Sequence, residues 1–288
     1  MDGYKICEQK DSGVAVVQFP IFEAFPELHC GYSTRRGGVS EGIFHSMNLG
    51  FGRGDASENV RENFRRIFAA LGIPEGAEVF TKQTHTVNVR VVTGEDRGIG
   101  LHRAIPYDDV DGLVTDVPGL ALTVFTSDCV PVFLYDPKRK AIGVCHAGWR
   151  GTVGGIAEKT AVLMQETYGC NPADILAAIG PSIGPECFEV GDEVADEFRI
   201  AFGESVIYSH GGSKPHVDLW QSNVISLTRA GLTPEHIAVS GLCTMCHPDI
   251  FFSHRATSGQ RGSNAGFLMM SVRLTEGTMN GRESGYEP

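Results

Sequence analysis

One stretch constrains the fold more than any other: Leu120 to Gly151, "LALTVFTSDCVPVFLYDPKRKAIGVCHAGWRG". Its apolar runs at 120–127, 131–136 and 140–146 are rich in Val, Ile, Leu and Phe and are broken by Asp, Pro and Gly, which reads as consecutive strands. The last two form a hairpin turning at Pro137-Lys138-Arg139. Pairing Asp136 with Lys140 sets Val130 opposite His146 and brings Cys129 close to Cys145 and His146. Strict alternation then puts Cys129 on the Cys145 face, whereas Pro131, which cannot donate to a ladder, allows an irregularity that would put it with His146. Both pairings stay open at this point.

Further strands are expected at 14–19, 87–92 and 174–179. Residues 31–55, "GYSTRRGGVSEGIFHSMNLGFGRGD", read as a long Gly-rich loop of the kind that usually carries function. After it, Val60, Phe64, Ile67, Phe68 and Leu71 recur at helical spacing, with Asp55 and Glu58 as a capping box and Gly72 as the stop. Helices are also expected over 152–168, 190–202 and 220–230, the last closed by Gly231. Helices and strands mix without strict βαβ alternation, and there is no repeat or linker. The expected fold is α+β (mixed α/β), a single domain over residues 1–288 with mixed β-sheets sandwiched by helices.

Charge and composition exclude several function classes. A net charge of -11 and a pI near 5.4 provide no chain-wide basic field for a phosphate backbone, so nucleic acid is not the expected partner. The first thirty residues carry early acids and no apolar signal core, and no later stretch reaches the length of a membrane span, so the expected location is cytoplasmic, without a membrane partner. In such a compartment the eight cysteines are expected as buried thiols or metal ligands rather than disulfides. Nothing in the sequence sets an oligomeric state.

The densest chemistry lies in "KQTH", ending at His85, in "TSDCVP", with Asp128 and Cys129, and in "VCHAGWRG", with Cys145, His146, Trp149 and Arg150. Two imidazoles and a thiolate make a catalytic zinc shell with a fourth position open. Asp128 beside it offers a carboxylate for proton transfer. The run Gly148-Trp149-Arg150-Gly151 entering a helix reads as an anion seat, with Arg150 as the cation. The same side chains also suit a Cys-His hydrolase with Cys129 as nucleophile and His146 as base. A non-enzymatic metal-storage or redox protein is a third reading. The glycines at 50, 52 and 54 lack the strand-turn-helix context of a dinucleotide fingerprint.

Near the other end stands "CTMCH", Cys243 to His247, which in isolation matches the attachment signature for c-type haem. No export signal accompanies it, and the better metal candidates lie elsewhere, so it reads as scaffold. A second, structural zinc on Cys243, Cys246 and His247 would want a fourth ligand, and none is near in sequence.

At "CHAGWRG" the chain resembles the laccase-domain family, first labelled multicopper polyphenol oxidase and later reinterpreted as zinc-dependent purine nucleoside phosphorylases. The resemblance also rests on "STRRGGVSEGIFHSMNLG", "KQTH", "DGLVT", "SDCVPVFLYDP", "IGPSIGPECFEVGDEV" and the late "CT" and "FFSHR", in order over about residues 30–262. It implies a metal on His85, Cys129 and His146, with Arg35, Asn48 and Gln83 as substrate or phosphate contacts. It implies phosphorolysis of adenosine, inosine, guanosine or methylthioadenosine with inorganic phosphate as co-substrate, and adenosine deamination in some members. Where many members read Ala-Asp-Cys, this chain has Ser127-Asp128-Cys129. Four-copper oxidation fits poorly, since the ten histidines include no His-x-His. Zinc is the expected metal, with copper able to compete in vitro.

Overall fold

The computed structural model describes residues 3–209 and 214–271. Its two main sheets pack face to face, with helices on both outer sides. The first runs, in spatial order, Lys5–Glu8, Ala15–Gln18, Leu28–Ser33, Asn264–Met270, Ala121–Thr126 and Glu78–Phe80, parallel only at the last pair. The second runs Ile237–Val239, Leu176–Ile179, Val130–Asp136, Ala141–Ala147, Gly112–Thr115 and Val89–Val91, parallel at both ends. The mixed α/β fold with helix-covered mixed sheets is therefore as expected.

Three apolar layers hold it together. Tyr32, Leu122, Val124 and Leu268 of the first sheet meet Leu113, Phe133, Ile142 and Val144 of the second between the sheets. On the outer side of the first sheet, the helix Ser57–Leu71 lays Val60, Phe64, Ile67, Phe68 and Leu71 against Phe80, Ala121 and Phe267, which is why its apolar residues recur at helical spacing. Outside the second sheet, the helices Ile156–Tyr168, Asp192–Phe202 and Leu219–Arg229 bury Met164, Phe198 and Leu227. Among the described residues no helix is long and apolar enough to cross a membrane.

Three local expectations change. The hairpin is one residue longer at its turn. Asp136 pairs with Ala141, and Pro131 with His146. Asp136 Oδ1 accepts the amides of Lys138 and Arg139, and Lys140 takes a positive φ of 54°, so the loop spans Pro137 to Lys140. The expected helix over 152–168 is two helices, Trp149–Val153 and Ile156–Tyr168, because Gly155 adopts the left-handed conformation at φ 74° and ends the first turn of chain. Finally, Asp55 does not form a capping box: its carboxylate accepts from Ser40 Oγ and Asn48 Nδ2, and the helix starts at Ser57 after an uncapped Ala56. Gly72 does close that helix in the left-handed conformation.

Candidate metal centre

The chain passes from the first sheet to the second at two places, and both passages carry site residues. Residues 81–88 lead from Glu78–Phe80 to Val89–Val91 and contain His85; Ser127-Asp128-Cys129 join Ala121–Thr126 to Val130–Asp136. His85 and Asp128 both have positive φ, 66° and 87°. A non-glycine residue in that region is strained and persists only where its surroundings hold it.

The corrected hairpin register decides which face Cys129 shares. Residues directly opposite in an antiparallel pair point the same way, and Pro131 opposes His146. Cys129, two residues before Pro131, therefore lies on the His146 side, whereas Cys145 opposes Val132 and is buried in the helix-side core. Burial pushes the Cys145 thiol up to about 12, as befits an inert core cysteine.

His85, Cys129 and His146 converge so that one ligand atom from each lies within 4.8 Å of the others. Cys129 Sγ is 3.9 Å from His85 Nε2, and the two imidazole rings meet edge to face at 4.9 Å. Tetrahedral zinc sites place N and S ligands about 3.5 Å apart, so small adjustments suffice to close this trio on one ion. Burial falls from His146, 3 % exposed, through half-buried Cys129 to exposed His85, which leaves one side of the group open.

One carboxylate organises the trio, and the sequence reading assigned it no role. Asp111 is fully buried; its Oδ1 accepts from His146 Nδ1 at 2.7 Å and from the His85 amide at 3.1 Å, and its Oδ2 accepts the Thr84 amide at 2.8 Å. Burial opposes its ionisation, yet the hydrogen bonds from His146 and the Thr84 and Thr86 amides win and hold its carboxyl below the usual range. With Nδ1 committed, His146 presents Nε2 to Cys129, the second-shell carboxylate arrangement that orients metal-ligating histidines. Burial alone would raise the Cys129 thiol, but the facing imidazoles of His146 and His85 outweigh it and bring it to about 6. The same pairing, with Asp111, overcomes burial at His146 and raises it to about 9. The two shifts together describe a thiolate facing an imidazolium; the thiolate is the form that binds a metal, and an ion there takes the place of the His146 proton.

Gly148 makes room for this convergence. A Cβ there would stand 2.7 Å from His85 Cδ2, 3.3 Å from Cys129 Sγ and 3.5 Å from His146 Cε1. The expected anion seat is placed differently. The helix that follows has five residues, and Arg150 stacks on the Trp149 ring at 4.1 Å, outside the cavity wall.

The trio opens into a cavity of about 780 Å³ between the crossovers and the late "FFSHR" segment. That is the size range of small-molecule sites. Asp128 and Gln83 line it; Arg35 and Asn48 do not. Arg35 instead ties the loop to the chain's later part, donating from Nε to the His45 carbonyl and from Nη1 to that of Pro248, over the Phe252 ring. Buried Asn48 braces Gly50, Asp55 and Ser263. Gln83 stitches to both the N–H and the C=O of Phe125. Asp128 is 8 % exposed, and accepts from Thr244 Oγ1 at 2.6 Å and the Arg255 amide at 2.7 Å.

The cations on the wall include three that sequence reasoning passed over: Arg53, Arg255 and Arg261. Arg261 is 9 % exposed, its Nε has no partner, and burial together with neighbouring Arg53 lowers it to about 10. A buried guanidinium with one unused donor, beside the exposed Arg53, offers a donor that an anion in the cavity can take. The only sequence signals were the glycines around Arg53 and the Gly262 after Arg261.

Residues 29–271 match the family described as multi-copper polyphenol oxidoreductase laccase. The chain is 38% identical over 242 residues to "Purine nucleoside phosphorylase YlmD" of Geobacillus stearothermophilus, covering 83% of this chain and 88% of that one. It is 36% identical over 229 residues to "Adenosine deaminase RL5" from an unknown prokaryotic organism, covering 78% and 87%. The crystal structure of YlmD from Geobacillus stearothermophilus superposes with a TM-score of 0.86 at 35% identity, over 94% of this chain and 100% of that one.

Proposed function

The chain belongs to the family described as multi-copper polyphenol oxidoreductase laccase, and from that premise we propose that it is a metal-dependent purine nucleoside phosphorylase, with adenosine deamination as a second activity of the same cavity. The observation that carries this reading is one cavity with an Asp111-oriented His85-Cys129-His146 trio and a partly unsatisfied arginine pair on its wall.

The donor set of two imidazoles and one thiolate suits zinc, and a zinc-class ion held there supplies a Lewis acid facing the cavity. Everything else falls to the chain. Arg53 and Arg261 hold inorganic phosphate against the ribose, so that its oxygen forms the new bond to the anomeric carbon while the bond from that carbon to the purine nitrogen breaks. The departing base needs a proton, and Asp128 is the carboxylate on the wall that can manage one. Its hydrogen bonds with Thr244 and the Arg255 amide fix where that proton is delivered. Arg35, Asn48 and Arg150 act at a distance from substrate, Arg35 and Asn48 by positioning the loop that carries Arg53. The products are the free purine and ribose 1-phosphate.

Chromatography of inosine and adenosine incubated with and without phosphate tests this. Hypoxanthine formed from inosine only with phosphate is the expected result; base release without phosphate would replace phosphorolysis by hydrolysis. Arg261→Met is expected to raise the phosphate KM by about tenfold or more, the cost of a charge-assisted hydrogen bond of roughly 1.5–3 kcal/mol.

One observation favours a second reading. Asp111, His146 and Cys129 are lined up as a thiol nucleophile with an oriented base would be. The further imidazole of His85, 3.9 Å from the sulfur, is surplus to a nucleophile and necessary to a metal shell. Iodoacetamide separates them: Cys129 protected as purified and labelled after chelation fits the metal reading, whereas rapid labelling of protein purified without metal fits the nucleophile.

A further inference from the structure

A second group of metal-ligating side chains lies outside the cavity. Cys187, Cys243 and Cys246 bring their sulfurs within 4.8 Å of one another, with Cys187 Sγ and Cys246 Sγ 3.3 Å apart. The residues come from two loops, and the fold pairs them deliberately. Ser182 donates its amide to Leu242 O, and Thr244 donates to Ser182 O at 2.9 Å, so residues 182–184 and 242–244 run side by side. Gly184 then donates its N–H to Cys243 Sγ at 3.2 Å, and a Cβ at Gly184 would crowd the Trp220 ring at 3.0 Å and Cys243 Cβ at 3.3 Å. A glycine is what lets the loop press this close.

We propose that Cys187, Cys243 and Cys246 form a second site, with three protein ligands and one open position, for a thiophilic metal ion of the zinc class. Three thiolates are a soft donor set that selects such ions. Zinc thiolate ligands stand about 3.8 Å apart, a spacing between the 3.3 Å of the Cys187–Cys246 pair and the 4.8 Å within which all three sulfurs lie. The "CTMCH" segment therefore supplies half of the site, as the spacing C-x-x-C does in zinc motifs, and the missing partner is Cys187 rather than His247, whose ring is not among the converging donors. A Cys187–Cys246 disulfide would leave out the Cys243 sulfur, 8 % exposed and receiving the Gly184 amide, although it converges on the same point as the other two. Exposed Cys246 gives the ion a way in and leaves a fourth position to solvent.

The site sits where it stiffens the cavity. Ile183 donates its amide to Asp128 O, and Thr244, next to Cys243, donates to the Asp128 carboxylate. Phe188, next to Cys187, lines the wall with Arg255 over its ring. An ion joining Cys187 to Cys243 and Cys246 clamps both loops that hold Asp128.

The test is metal analysis of the full chain purified under reducing conditions with zinc supplied. About two zinc ions per chain are expected, about one in Cys246→Ser and about one in Cys129→Ala, so the two sites are counted separately and without any activity assay. Reconstitution with Co2+ gives the second readout: the sulfur-to-cobalt absorption that persists in Cys129→Ala is expected to vanish in Cys129→Ala combined with Cys246→Ser. In zinc, the melting temperature of Cys246→Ser is expected below that of the parent, and chelation should abolish the difference. Equal zinc content in the parent and Cys246→Ser would overturn the proposal. So would a Cys187–Cys246 disulfide in non-reducing peptide maps of protein purified with zinc supplied and without reductant.

Discussion

One oxygen of Asp111 receives the His146 imidazole and the His85 amide, and the other receives the Thr84 amide, so a single buried carboxylate aims two of the three ligands. Asp111→Asn keeps the volume but disturbs this acceptor set, and metal affinity is expected to fall about 10- to 100-fold, the usual cost of losing an outer-shell partner. Competition with a chelator of known affinity checks it; unchanged affinity would mean the ligands hold themselves. The trio itself was legible because His85, Cys129 and His146 each stand where an apolar run ends. Asp111 was not, since a lone Asp before "GLVT" looks like any strand boundary. The arginines were the hardest: Arg35 ends on Pro248, 213 residues away, and Arg261 inside the cavity wall, destinations set by packing that no local pattern encodes.

At the scale of elements, the site depends on the turn that joins Ala141–Ala147 to the short helix Trp149–Val153. Gly148→Ala puts a methyl group 2.7 Å from His85 Cδ2. Overpacking of this kind costs about 1–3 kcal/mol, and the exposed His85 ring is the neighbour free to yield. The loss is therefore expected in metal affinity, read by the same chelator competition, with the melting temperature of the metal-free protein nearly unchanged; a large drop in that temperature would place the strain in the scaffold instead. The helices and six of the strands could be read from apolar runs and their Gly and Pro punctuation, whereas Lys5–Glu8, Leu28–Ser33, Glu78–Phe80, Gly112–Thr115 and Ile237–Val239, all six residues or shorter, were not expected as strands. The strand Asn264–Met270 escaped, although it lies inside the first sheet, because every one of its residues is buried and a continuous "NAGFLMM" shows no alternation. The hairpin register slipped by one because Asp136 caps the turn with its side chain, which the letters "DPKRK" do not reveal.

For the molecule as a whole, the cavity exists because two sheets close on each other and the chain crosses between them at His85 and at Asp128. Glu27, just before Leu28–Ser33 of the first sheet, clamps this closure by accepting from Lys140 Nζ and Tyr135 Oη at the hairpin of the second. Those hydrogen bonds, Lys140 first, hold its carboxyl at about 2. A folded-state value below the ordinary 4.5 means that the stabilisation is complete above that pH and is lost as the pH falls through about 2. Glu27→Gln is accordingly expected to cost about 1 kcal/mol or less at neutral pH, the pair being partly exposed, with the gap narrowing on acidification. Urea unfolding of both proteins at several pH values measures it, and a gap that widens in acid would refute the sign. The central claim, that the His85-Cys129-His146 centre does the chemistry, is met most directly by the rate of inosine cleavage in phosphate by Cys129→Ala shown to be folded by circular dichroism. Metal and cleavage are expected to be lost together; cleavage at the parent rate would rule out a metal-centred reaction at this trio.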